Sequence, residues 1–374
     1  KGPRIKINKI FVKGSKKIHP KFVQTYLQIK PKSWYNEEAM RNISKRIKEI
    51  SFLSEIKPHE IIFTRDGADL YLYINTGKSS NANGIIGIQP NNQTGKVNVT
   101  GEVKLKLQNL LKRGELFNLE WKKLQPKTQD FLVEINYPFL FGTSFGIDGK
   151  FKLYKRDTTF LNLNTNIGVQ YILKGGNRLK AFYEYQSTDL LITPINFTAT
   201  NIVDIRKHNY GLGYLKTQYD YLPNPRKGFG IELTANIGNK TLKKKDEIPD
   251  SLYNGLRLKD ISYGVGFKAD VFIQIMKRNT FRIANQTNFV YSRDIFLNEA
   301  LRFGGLNTLR GFDEEVFYAT FFSVFTAEYR FLIDYRSAVF AFFDQGMFER
   351  NTRDGYVKDY PFGFGVGLNM GTKI

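Results

Sequence analysis

Few residues in this 374-residue chain have types and spacing that suit chemistry. There is no cysteine, which removes thiolate nucleophiles, disulfides and cysteine metal sites. Three histidines, His19, His59 and His208, are too few for a histidine-rich metal site. "GTSFG" at 142–146 has the spacing of a nucleophile elbow around Ser144, but the elbow needs a strand–turn–helix setting and a histidine partner. The residues after Ser144 read as another strand, so no catalytic residue is assigned. Asp294, Asp313, Glu314 and Glu315 could gather a cation, although a solvated acidic loop is the expectation; no metal and no cofactor are expected. His208, in "IRKHN", is read as part of a solvated loop.

What is left is an arginine in "GGLNTLRGFDEE" at 304–315, where Gly304, Gly305, Arg310, Gly311 and Phe312 interrupt a succession of strands. The glycines allow a tight fold-back. The next two segments, "TFFSVFTAEYRFLI" and "SAVFAFFDQGMFER", carry Glu328 and Asp344 where polar side chains point inward. An arginine withdrawn from bulk water needs a carboxylate, because an unpaired buried charge is costly. A planar guanidinium can hold two carboxylates in fixed geometry, which an ammonium cannot. The expected chemistry is an internal ion pair of Arg310 with Glu328, Asp344 or both.

Strands must position these groups. From about Asn81 to the end helical periodicity vanishes. "GEVKLKLQNLL" sets Val103, Leu105 and Leu107 against Lys104, Lys106 and Gln108, and "LFNLEWKKL" sets Phe117, Leu119 and Trp121 against Asn118, Glu120 and Lys122. About fourteen such segments follow one another, each near the roughly 10 residues that cross a membrane as a tilted strand. Turn signals such as "KRGE", "KGGN" and "DYRS" alternate with long connections at 190–208, 240–258 and 294–319. Long strands with one aromatic-rich apolar face and one polar face suit a closed barrel with lipid outside and water inside. Lys104, Lys106 and Lys122 are expected to face the lumen, Leu105 and Trp121 the lipid. "NYPFLFG" reads as an aromatic girdle. The first segment, "ANGIIGIQPN", with Gly84, Gly87 and Pro90, is either a frayed first strand or a weakly paired seam able to accept an added strand.

Residues 1–77 differ. "RIKINKIFVKG" alternates as a strand, "HPKFVQTYLQI" reads as a short helix, and "NEEAMRNISKRIKEI" as a stronger one, capped by Asn36 with Met40, Ile43, Ile47 and Ile50 on one face. Two strands joined at Asp66-Gly67 complete a β-α-α-β-β unit over 4–77. The chain is therefore read as a small α+β domain, 1–77, ahead of a transmembrane antiparallel β-barrel, 81–374.

The net charge of +21 admits nucleic acid as a partner, but the basic residues are spread through strands, so no nucleic acid is expected. No apolar run is long enough for a membrane helix. "KGPRIKINKI" is not a signal peptide, which suggests a processed or excerpted chain.

Four stretches together resemble the BamA/TamA-type outer-membrane assembly superfamily, which includes the two-partner secretion transporters. "KINKIFVKG" with its β-α-α-β-β unit is similar to a POTRA domain, the periplasmic module of that family. "LRFGGLNTLRGF" resembles the family's Arg-Gly-aromatic loop that folds back into the barrel. "FFDQG", with Phe342, Asp344 and Gly346, resembles its Phe-x-Asp-x-Gly strand motif, offset because Phe342 and Phe343 are adjacent. "YDYLPNPRKGFGIEL" resembles its Asp…Pro…Gly turn. The resemblance implies sixteen strands where about fourteen are visible, so the last two are expected to be missing. It also implies Arg310 in contact with Asp344 and Glu328 inside the lumen.

By the same resemblance the chain is expected to be an insertase or translocase in the bacterial outer membrane, its POTRA domain in the periplasm. Partners implied are the lipid bilayer, unfolded outer-membrane or secreted client proteins, and accessory periplasmic or lipoprotein subunits. The alternatives are a two-partner secretion type transporter and a passive porin-like channel. A hydrolase barrel is disfavoured by the scarcity of histidine.

Overall fold

A computed structural model describes residues 5–50, 52–77, 79–90, 97–123, 127–173, 177–191, 203–221, 224–246, 249–334 and 337–370. Parts of the expected turns (174–176, 222–223 and 335–336) lie outside these residues, as do 192–202 of the expected connection 190–208 and the final 371–374.

The head runs β1 (Ile7–Gly14), α1 (Pro20–Leu27), α2 (Glu37–Arg41), α3 (Ile43–Lys48), β2 (Leu53–Thr64) and β3 (Gly67–Thr76). Its sheet has the order β1-β3-β2, with β1 parallel to β3 and β2 antiparallel to it. Asn36 caps α2 by accepting from the Ala39 N–H at 3.0 Å. The helix expected to run through 37–50 is instead divided at Asn42, whose side chain donates to the Glu38 carbonyl at 2.9 Å. Asparagine competes in this way with the helix ladder. The apolar face survives the division: Met40, Ile43, Ile47 and Ile50 are buried with Phe22, Val23, Leu70, Leu72 and Ile74 in one core. Each fully buried isoleucine contributes about 2 kcal/mol.

The barrel sheet follows in strict sequence order: β4 (Asn81–Pro90), β5 (Val97–Gln108), β6 (Leu116–Lys123), β7 (Gln129–Tyr137), β8 (Phe145–Arg156), β9 (Phe160–Ile172), β10 (Arg178–Leu190), β11 (Asp204–Tyr219), β12 (Gly228–Lys243), β13 (Lys259–Gln274) and β14 (Asn279–Tyr291). A small hairpin, β15 (Leu301–Phe303) and β16 (Phe317–Ala319), leaves the sheet, which resumes with β17 (Phe321–Leu332), β18 (Ala338–Thr352), β19 (Gly355–Asp359) and β20 (Phe362–Asn369). All pairings in this 15-stranded sheet are antiparallel meander pairings except that β19 and β20 share one edge of β18. Those two pieces, separated by Tyr360-Pro361, occupy one place, so the sheet has the fourteen places that the alternation predicts.

The strands are not uniformly near ten residues. They range from short edge pieces to the 16-residue β11, β12 and β13. The long connections shrink accordingly. The expected loop residues 204–208, His208 included, begin β11, and 240–243 end β12. Alternation simply continues through them: Lys207 and Lys240 are opposite each other on the inner face and Ile205 and Leu242 are buried.

The faces follow the register. Lys104 pairs with Glu120, Glu102 with Lys122 and Lys106 with Asn118, while Leu105 pairs with Leu119 and Val103 with Trp121 on the other face. Lys106 lines the same cavity as Leu215, Thr217 and Tyr219 of β11, which places the lysine face inside. Outward positions are apolar and exposed, as at Leu212, Leu233, Ile237 and Val265.

A lumen arginine clamp as the candidate functional site

The hairpin β15–β16 carries residues 304–316 back into the barrel. Gly305 at φ 89° and Gly311 at φ 94° take left-handed backbone that a side chain resists. Between them Thr308 Oγ donates to the Gly304 carbonyl and the Gly305 N–H donates to the Leu309 carbonyl, closing a compact turn. Leu309 and Phe303 are fully buried with Phe322, Val324 and Phe348 of the barrel wall, and Phe312 and Phe317 pack against them. Phe303 stacks on Phe322 with centroids 4.5 Å apart.

This small apolar core sets the direction of the next residue. Arg310 Nε donates to Asp344 Oδ2 at 2.7 Å, Nη2 to Asp344 Oδ1 at 2.8 Å and Nη1 to Glu328 Oε2 at 2.8 Å. Its backbone N–H reaches Asp344 Oδ2 at 3.2 Å, and Thr326 Oγ donates to Asp344 Oδ1 at 2.8 Å. The guanidinium lies 3.7 Å above the Phe342 ring. Side-chain exposure is 13% for Arg310, 5% for Glu328 and 0% for Asp344, so water does little of the screening. Glu328 is shared: Arg282 approaches at 3.7 Å and Arg330 at 3.5 Å, and Arg282 also faces Asp270 at 3.6 Å. Three acids thus face three arginines.

Phe342, Asp344 and Gly346 occupy alternate positions of β18 and share its inner face, so the adjacency of Phe343 does not displace the motif; Phe343 points outward. A Cβ on Gly346 would stand 3.2 Å from Leu309, and one on Gly363 of β20 would stand 1.9 Å from the Arg310 carbonyl. The loop therefore packs directly on the edge strand.

The seam residues Gly84, Gly87 and Pro90 lie on β4, opposite Val103, Thr100 and Val97. Among the described residues β4 pairs only with β5, and β20 only with β18. Ile85, Ile86 and Ile88 of β4 are exposed on both faces. The Asp…Pro…Gly turn owes its shape to Asp220, which accepts from Arg226 N–H at 2.9 Å and Lys227 N–H at 3.2 Å.

Three expectations need correction. Phe139 of "NYPFLFG" is not in a lipid girdle: its ring meets Phe22 at 5.6 Å and Tyr26 at 6.3 Å on α1, joining the head to the barrel. The acidic residues near 294–315 are not simply solvated, because Asp294 pairs with Arg353 at 3.0 Å and Glu315 with Lys152 at 2.8 Å and Arg302 at 3.0 Å. Glu314 accepts from the Leu306 N–H at 3.1 Å. Finally, His208 is a strand residue whose Nδ1 lies 2.7 Å from the Tyr183 hydroxyl. Among the described residues no cluster of metal ligands forms. Ser144 lies in the turn before β8.

Sequence reasoning missed a second buried cluster. Glu299, just before β15, is 3% exposed and faces Lys207 at 2.6 Å and Lys240, which also reaches Ser292 Oγ at 3.3 Å. It fixes the root of the lumen loop. Only the alternation through 204–209 could have signalled it. In the head Tyr26 donates to Glu49 Oε2 at 3.0 Å; burial, then Glu49, pushes the Tyr26 phenol up, and burial pushes Glu49 up.

A family model described as POTRA, surface antigen variable number repeat, matches residues 5–77. No curated protein matches the sequence. Among solved structures, CdiB from Acinetobacter baumannii overlays with a TM-score of 0.62 at 14% identity, over 98% of this chain and 67% of that one. CdiB from Escherichia coli gives 0.52 at 12% identity, over 98% of this chain and 84% of that one. BamA from Haemophilus ducreyi lacking POTRA domains 1-3 gives 0.49 at 12% identity, over 93% and 73%. Residues 5–77 are thus a POTRA domain by their family match, and the chain as a whole, this domain followed by a large antiparallel β-barrel sheet, has the fold of the two CdiB structures.

Proposed function

We propose that the protein is an outer-membrane insertase or translocase that handles unfolded client proteins, with the POTRA domain on the periplasmic side, and that it makes or breaks no covalent bond. The observation that carries this reading is the coupling of the Arg310 clamp to a sheet edge. Arg310 is forked between Glu328 and Asp344, and its carbonyl lies against Gly363 of β20, an edge strand paired only with β18 among the described residues. At the other edge β4 is glycine-containing and exposed on both faces, a surface on which an incoming strand can form main-chain hydrogen bonds. The clamp keeps the C-terminal edge in register while that pairing proceeds.

The test is insertion of an unfolded outer-membrane protein into proteoliposomes holding this protein. Arg310→Ala leaves two acids without their shared partner and costs about 3 kcal/mol at the site. The expected result is a barrel that assembles but inserts clients poorly. Arg310→Lys is expected to recover only part of the activity, since an ammonium cannot fork to both acids. A fully active Arg310→Ala protein overturns the reading.

A second reading, export of one dedicated partner through the lumen, is supported by the overlay on the two CdiB chains. In the same liposomes it gives release of protein to the far side and no membrane-inserted client.

A further inference from the structure

The lumen loop touches two walls, and the two contacts are built differently. On the β17–β18 wall it has the apolar core around Phe303 and Leu309 and the forked Arg310. On the far wall it meets β8 through three side chains at alternate positions. Lys152 Nζ donates to Glu315 Oε1 at 2.8 Å. The Tyr154 ring lies 3.5 Å below the Arg302 guanidinium. Arg156 Nη1 donates to the Tyr318 hydroxyl at 2.5 Å. All three belong to the inner face of β8, where Lys152 also meets Asp130 of β7 at 3.3 Å. Residues 302–318 therefore form a strut across the lumen between the fifth and the last strands of the sheet.

We propose that the β8 stripe of Lys152, Tyr154 and Arg156 is a releasable latch for the lumen loop, with Arg310 as the fixed end about which the loop swings to open the lumen. The asymmetry decides which end lets go. Lys152 and Glu315 are 29% and 30% exposed, so water competes for the pair, whereas Asp344 is fully buried. Among the described residues no buried apolar cluster includes a residue of β8. Glu315 keeps a partner when it leaves, because Arg302 travels on the same hairpin. Lys152 likewise keeps Asp130, so neither charge is stranded on opening.

The proposal concerns the lumen itself and stands apart from which client the barrel handles. Conductance of the full chain in planar bilayers is the readout. Glu315→Gln and Lys152→Gln are each expected to raise the open fraction several-fold. Tyr318→Phe, which removes only the acceptor for Arg156, is expected to give a smaller rise in the same direction and guards against misfolding of the charge variants. The chain has no cysteine, so Lys152→Cys with Glu315→Cys can be bridged by a short bifunctional thiol reagent. Bridging is expected to hold conductance at or below the parent level. The latch is refuted if these three variants conduct like the parent, or if the bridged protein opens as freely as the unbridged one.

Discussion

The head seals almost only apolar side chains, whereas the barrel seals charged groups as well. In the POTRA domain Ile43, Ile47, Leu72 and Ile74 are sealed from solvent and the charged residues are exposed or half-buried. In the barrel charged groups are sealed beside the apolar ones: Glu328, Asp344, Lys240 and the Glu299 carboxylate are buried, while Leu212, Leu233, Ile237 and Val366 are exposed. One chain meets two solvents, and each region hides from its own. The head is held by apolar area removed from water. The barrel is held by its antiparallel hydrogen-bond ladder and a lipid-facing exterior, so charges can gather inside provided each has a partner.

The largest effect that tests this contrast is a charge in the head. Ile47→Asp puts an unpaired carboxylate into a site that is 1% exposed, at a cost of more than about 3 kcal/mol. The expected outcome in the full chain is a protease-sensitive head on a barrel that remains protease-resistant. A head that resists proteolysis breaks the comparison. An intermediate effect is expected on the barrel's exterior. Leu233→Arg places a charge toward lipid at the middle of β12 and costs about 2–4 kcal/mol, whereas Thr234→Arg, one residue on and facing the lumen, costs less. Unfolding in urea from liposomes measures both, and equal costs would mean that the face assignment is wrong.

These different rules also explain what could be read in the sequence. The head was legible because Met40, Ile43, Ile47 and Ile50 repeat at helical spacing, and only the division at Asn42 was hidden, since a side chain competing for one carbonyl leaves periodicity intact. The barrel was legible because Leu105 and Lys104 alternate, and Arg310 because guanidinium in a glycine-rich turn followed by two inward acids has few other uses. Glu299 with Lys207 and Lys240 was not legible. Their partnership joins residues 59 and more apart through the curl of the sheet, and a buried lysine looks like a surface lysine in one dimension. Phe139 was misassigned for a similar reason: an aromatic at a barrel rim fits lipid or a neighbouring domain equally well until the neighbour is placed.

The smallest expected effect sits where the two regions join, at His19. Its backbone N–H donates to the Lys112 carbonyl of the β5–β6 turn at 2.8 Å, and its Nδ1 accepts from the Lys21 N–H at 3.2 Å, capping α1. Burial, then Arg113 and Lys21, lowers the imidazole pKa below its ordinary 6.5. The sign follows from proton counting. Above 6.5 the ring is neutral in both states, and the cap is fully present. As pH falls through that value the unfolded chain takes up a proton first, so folding loses stability until the folded-state pKa is passed. Protonation also removes the Nδ1 acceptor, which is the structural form of the same loss. Head stability in the full chain, followed by unfolding between about pH 7.5 and pH 5, should therefore fall toward acid. His19→Asn keeps a capping acceptor without a titrating group and is expected to flatten that part of the profile. His19→Ala should cost about 1 kcal/mol at neutral pH. If His19→Asn follows the parent's profile, the acid weakening comes from other groups and the junction does not depend on this ring.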